Sequence, residues 1–126
     1  MTEFGSSKLE DLLETNLNKL TIKCSRCESI ILLPLTAEYI NETNDMPTMH
    51  SKSEQKGKTS DEFPNEKLSG FWKVDNMLTF ENVGFSNMCN NKKYLLCADC
   101  EIGPIGFQDL NQPGNFLIAL DRVRHI

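Results

Sequence analysis

Two pairs of cysteines carry the clearest chemistry in this chain, Cys24-Ser25-Arg26-Cys27 and Cys97-Ala98-Asp99-Cys100, with 69 residues between them. A tight turn aims both sulfurs of a Cys-x-x-Cys pair at one point, and two such turns supply the four corners of a tetrahedral zinc ion. Four sulfurs fill that shell and leave no place for a reactive water, so the spacing predicts one structural zinc rather than a catalytic one. The long separation matters as much as the motif. The metal closes no local finger but stitches the start of a domain to its last third. A redox reading of either pair needs a βαβ setting with the first cysteine at a helix start. Pro104 and the β-formers after Cys100 give no sign of such a helix.

Other candidates are weaker. Cys89 is the fifth cysteine, and as a nucleophile it would need a base. The histidines are His50, in a polar stretch, and His125, next to the last residue, so Cys89 reads as an ordinary turn residue. Asp99 lies between two ligands, where the backbone is pinned. It is either a solvated acid bonding the turn, or an anionic probe held toward a cationic partner. Residues 75–85 mix apolar groups with acids. Core alternation would account for Leu78 and Phe80, and Gly84 allows a bulge or close backbone approach.

At 126 residues the chain is one domain, large enough for a modest core and small enough to gain from a metal staple. A net charge of −5 argues against nucleic-acid binding, which favours a basic face. No apolar run approaches the roughly 18–20 residues that span a bilayer, which predicts no membrane insertion. Residues 1–7 lack a basic n-region, so no secretory signal is expected. Four of the five cysteines have metal spacing, which suits a reducing cytosol.

The elements that position these residues read as mainly β. Residues 1–20 form an amino-terminal arm. In it Leu9, Leu12, Leu13, Leu17 and Leu20 follow a helical period, with a capping box at Ser7 and Glu10, so a short helix is expected over 6–20. From Thr21 the pattern turns to strands, and residues 21–126 form the metal-binding domain. Residues 41–69 are polar and predict a long flexible loop. Strands are expected again near 71–74, 77–85, 94–96, 102–108 and 116–123. In the last of these, alternation about Phe116, Ile118 and Leu120 predicts one core face.

Two strings go further. Phe80-Glu81-Asn82-Val83-Gly84-Phe85 and Cys97-Ala98-Asp99-Cys100-Glu101-Ile102-Gly103-Pro104-Ile105-Gly106 closely resemble the Rab-interacting factors of the Mss and Dss types, suppressors of secretion-defective mutants. The resemblance spans about residues 21–126. It implies a zinc-stapled β-tent and a cytoplasmic protein, monomeric alone, that associates with membranes transiently through its partner. It also implies binding to exocytic Rab GTPases in the nucleotide-free state, with slow guanine nucleotide exchange and a chaperone role for the empty GTPase. On this resemblance Cys24, Cys27, Cys97 and Cys100 are the zinc ligands, Asp99 contacts the GTPase, and Asp75, Asn76, Met77, Phe80, Glu81 and Asn82 lie in the partner-facing segment. Two positions depart from the family's pattern. Asn76 stands where an acid commonly precedes the methionine. Glu28 stands where glycine commonly follows the first pair, which predicts a slightly different turn there.

Two readings compete. One is an enzyme on a related zinc β-tent, such as a methionine-sulfoxide reductase using Cys89. The other is a zinc-ribbon nucleic-acid module, which the acidic charge opposes.

Overall fold

The computed structural model describes residues 13–51, 64–89, 92–112 and 114–126. Thirteen strands and two short 3-10 turns account for the regular structure among them. The strands are β1 (Leu13–Glu14), β2 (Leu17–Asn18), β3 (Ile22–Cys24), β4 (Ile30–Leu32), β5 (Glu38–Pro47), β6 (His50–Ser51) and β7 (Asn65–Val74). They continue as β8 (Val83–Cys89), β9 (Lys92–Cys97), β10 (Ile102–Gly103), β11 (Gly106–Asp109), β12 (Phe116–Ala119) and β13 (Val123–His125). An eight-stranded sheet runs β1-β2-β5-β7-β12-β11-β9-β8, a three-stranded sheet runs β13-β3-β4, and β10 pairs with β6. The described ladders are antiparallel. The fold is the mainly β architecture expected, with the two cysteine pairs meeting between sheets.

The large sheet is buried on both faces at its centre. Trp72, Leu95, Phe116 and Ile118 join Ile22, Cys24, Ile31 and Leu32 of the small sheet in one cluster. Phe71, Tyr94, Phe107, Leu117 and Ala119 form a second cluster. All four residues of β12 are therefore buried, and the expectation of a single core face there is corrected. A central strand covered on both sides has no reason to alternate. Its reach is also shorter than expected, because a 3-10 turn at Leu120–Arg122 separates β12 from β13 and moves the chain to the other sheet. Likewise Pro104 divides the expected 102–108 strand into β10 and β11.

Two larger corrections concern the amino-terminal half. Over the described part of the arm the chain is a hairpin, not a helix. Leu13 pairs with Asn18 and Glu14 with Leu17, while Thr15 and Asn16 take φ of 48° and 70°. Two successive positive φ values make a tight hairpin turn and cannot sit in a right-handed helix. Residues 6–12 of that expected helix lie outside the described residues. Over its described residues, 41–51 and 64–69, the expected loop is instead largely sheet. β5 and β7 pair from Glu38 with Lys73 out to Pro47 with Asn65. The ribbon is held by backbone bonds and polar cross-strand contacts such as Thr43 with Ser69 at 2.9 Å, so polar composition did not prevent it. Residues 52–63 lie outside the described residues. A bulge between Ile40 and Thr43 sits opposite Gly70, whose φ is +91°. That kink puts Leu68 and Phe71, three positions apart, in the same cluster.

Two buried polar side chains organise the joins. Asn18 is fully buried, donating to the carbonyls of Leu20 and Leu33 and accepting from the amides of Thr36 and Ala37. Arg122 donates to the carbonyls of Pro47 and Pro104 and pairs with Glu66 at 2.9 Å. It thereby ties β5, β7 and the β10–β11 link to the final crossing.

Candidate metal centre and partner face

Each cysteine pair begins at the end of a strand. Cys24 closes β3 opposite Val123, and Cys97 closes β9 opposite Val83. After each, the chain turns alike. The amide of Glu28 bonds the Cys24 carbonyl at 3.0 Å, and that of Glu101 bonds the Cys97 carbonyl at 2.8 Å. Glu28 and Glu101 both sit in the left-handed region, with φ of 64° and 60°. Glu28 adopts the conformation glycine favours, and the first turn matches the second.

These turns bring the four sulfurs together. Cys24 Sγ lies 3.7 Å from Cys100 Sγ, Cys27 Sγ lies 3.5 Å from Cys97 Sγ, and all four fall within 4.8 Å of one another. A tetrahedron of sulfurs about 2.3 Å from a zinc ion has edges of about 3.8 Å, so the spacing fits. Backbone amides face the sulfurs as well. Arg26 reaches Cys24 Sγ at 3.3 Å, and backbone bonds from Ser29, from Cys100 and Asp99, and from Ile102 reach Cys27, Cys97 and Cys100 respectively. Burial pushes the Cys97 thiol up to about 12 and that of Cys100 upward too. Cys27, more exposed, is lowered to about 7 by the side chain and then the backbone of Ser29. A clustered, partly buried thiol set of this kind is what a divalent cation would convert to thiolates and hold. It would join the small sheet to the β9 side of the large one.

The other expected site residues surround this clamp. Glu81 donates its amide to Ile31 O at 2.9 Å, and Asn82 donates its side-chain amide to Ile30 O at 2.9 Å. The Asn82 carbonyl accepts from the amide of Ala98 at 2.9 Å, so residues 81–82 bridge the exit of the first turn to the second. Asp99 is exposed, and the Ser29 hydroxyl donates to its carboxylate across the two turns. Upstream, Asp75, Asn76 and Met77 are exposed. Asn76 caps the 3-10 turn Met77–Thr79, accepting from the Leu78 amide at 2.8 Å. Asparagine and aspartate serve equally as such caps. The Phe80 ring turns inward and packs edge-on against Phe116, with centroids 6.0 Å apart.

Core alternation, which would account for Leu78 and Phe80 alike, does not hold for Leu78: it is 83% exposed, more than any other large apolar residue described. Strand alternation misplaced it, because the capped turn interrupts the strand. Asn76 was the available signal. Ser29 joins the site through its hydroxyl, and its position two residues beyond Cys27 places it on the knuckle. Cys89 ends β8 opposite Lys92, and His50 lies in β6 opposite Gly103; their side chains lie outside the described residues. The His125 Nε2 accepts from the Trp72 indole at 3.0 Å.

Antiparallel sheets joined at paired knuckles through a four-cysteine cluster that could hold a metal ion define a β-tent. Residues 17–125 match the family described as Mss4 protein, and the chain belongs to that family. It is 42% identical over 108 residues to a Drosophila melanogaster protein named guanine nucleotide exchange factor MSS4 homolog, covering 86% of this chain and 85% of the relative. A Schizosaccharomyces pombe protein of the same name is 29% identical over 94 residues, covering 74% and 85%.

Proposed function

We propose that this protein is a guanine nucleotide exchange factor and holdase for exocytic Rab GTPases, acting in the cytoplasm on the nucleotide-free state. Its clamp would hold one structural zinc. The names of the fly and fission-yeast relatives support the exchange role. The observation that carries the reading is an exposed carboxylate, Asp99, fixed on the clamp at the end of a bonded run that begins with the exposed Met77-Leu78 turn.

Exchange needs no covalent chemistry. A GTPase holds its nucleotide with a phosphate-cradling loop, a lysine and magnesium. A factor that binds the empty state better than the loaded one shifts the balance by that difference and no more. About 5.5 kcal/mol of differential binding corresponds to roughly 10⁴-fold. Asp99 would pair with the lysine once its phosphates leave. Met77 and Leu78 would cover apolar surface uncovered as the nucleotide site opens, with Asp75, Glu81 and Asn82 flanking them. Phe80 would act from beneath, by supporting the turn.

The test mixes the protein with Rabs loaded with fluorescent GDP. Release and co-elution of an empty-Rab complex are expected for exocytic members. Neither release nor complex across such a panel would sink the proposal.

A further inference from the structure

We propose that Ser29 is the positioning residue for Asp99, acting as a hydroxyl latch between the two knuckles. The inference rests on the exchange role given to Asp99 above. Ser29 and Asp99 lie 70 positions apart in sequence, yet the Ser29 hydroxyl donates to Asp99 Oδ2. The same oxygen lies 3.3 Å from Cys27 Sγ. A serine hydroxyl carries one proton. With Cys27 as a metal-held thiolate, sulfur and carboxylate are both acceptors, and the proton serves one at a time.

That arrangement suits an acid that must be held still and then released. In the free protein the latch selects one orientation of the Asp99 side chain, so a partner meets a carboxylate already ordered. When a cationic group of the GTPase takes Asp99, the hydroxyl turns to the Cys27 sulfur instead of being left without an acceptor. An isolated hydrogen bond would resist release by its full strength. A shared proton lowers that resistance. The pinned backbone on both sides supplies the rest: Ala98 is tied to Asn82, and Ser29 to Cys24 through their backbones at 2.8–2.9 Å.

The test uses the full zinc-loaded chain and its Ser29→Ala, Ser29→Thr, Asp99→Asn and Ser29→Ala/Asp99→Asn variants. Metal content and melting temperature are recorded for each. The Asp99 rotamer is read in the free protein from side-chain NMR couplings, and affinity is measured for nucleotide-free Rab. Ser29→Ala is expected to average the Asp99 rotamers and weaken binding about 5- to 10-fold, the range of one net hydrogen bond. Ser29→Thr, which keeps the hydroxyl, restores both. The double variant binds no more weakly than Asp99→Asn. A single retained rotamer in Ser29→Ala overturns the latch. So does simple addition of the two losses, which would mean that Ser29 acts apart from Asp99. If Ser29→Ala loses its metal, Asp99→Glu disturbs the same bond while keeping the charge, and parent-like binding by that variant overturns the proposal. If rotamers average as expected but Asp99→Asn binds like the parent, the role of Asp99 in exchange is what fails, and the latch with it as a functional device.

Discussion

Arg122 carries more of the molecule than its single position suggests. Its side chain is 4% exposed, and burial lowers its proton affinity, while Glu66 opposes that. The guanidinium answers two backbone carbonyls and one carboxylate on three different segments, a set that one ammonium cannot reproduce. Arg122→Met leaves the carbonyls of Pro47 and Pro104 without their donor. It should destabilise the fold by about 3–5 kcal/mol, seen as a lower urea midpoint at unchanged slope. Close packing also explains part of the family-marking string. A Cβ on Gly106 would sit 1.9 Å from the Leu117 carbonyl oxygen, so this glycine serves the approach of β11 to β12. The string that pointed to a partner is in good part a packing constraint, with Ala98, Asp99 and Glu101 as its exposed positions.

At the scale of elements, the capped turn Met77–Thr79 would, on the proposed function, separate stability from recognition. Leu78 is too exposed to contribute much to the core, whereas Asn76 holds the turn's shape. Leu78→Ser should move stability by less than about 0.5 kcal/mol while weakening capture of empty Rab several-fold, as measured by melting and by co-elution. The cysteine pairs were legible in the sequence because a knuckle is a local object, with ligands, turn and amides all within six residues. Strands about Trp72, Leu95 and Ile118 were legible through their apolar runs. The ribbon of β5 and β7 was not, because Thr43, Asn44 and Asp45 owe their extended shape to partners more than 20 residues away. The arm was misread for the opposite reason. Its leucines satisfy a helical period, but the Thr15-Asn16 turn and the buried Asn18 fix a hairpin. In the site, the three-dimensional turns bring Ser29 to Asp99 and push Leu78 outward, which strand alternation alone does not reveal.

For the molecule as a whole, two conditions should govern integrity. The clamp joins sheets that otherwise meet through one apolar cluster and a few hydrogen bonds, those of Glu81 and Asn82 to β4 and of Trp72 to His125. Structural zinc contributes about 10–16 kcal/mol in small modules, against about 5–15 kcal/mol for a whole domain. Chelation should therefore unfold the small sheet from the large one. Trp72, the single tryptophan and fully buried, reports this as a red shift in emission. The second condition is acidity. Burial lowers His125 to about 4 from an ordinary 6.5, and its Nε2 must stay unprotonated to accept from Trp72. The unfolded chain binds this proton more readily, so stability is full above about pH 6.5 and lost as pH falls toward 4, by on the order of 3 kcal/mol. Urea midpoints at pH 7 and pH 5 should differ more for the parent than for His125→Gln.

The distance along the chain between the two knuckles also sets a timetable. At about 5–20 residues per second, Cys24 and Cys27 are made roughly 4–15 s before Cys97. During that interval the nascent chain offers two thiols with half a coordination shell, open to an oxidant that would join them before their partners exist. Capture of a metal by the four sulfurs would therefore be a closing act of synthesis, and the yield of active protein should depend on how well the cell keeps that first pair reduced.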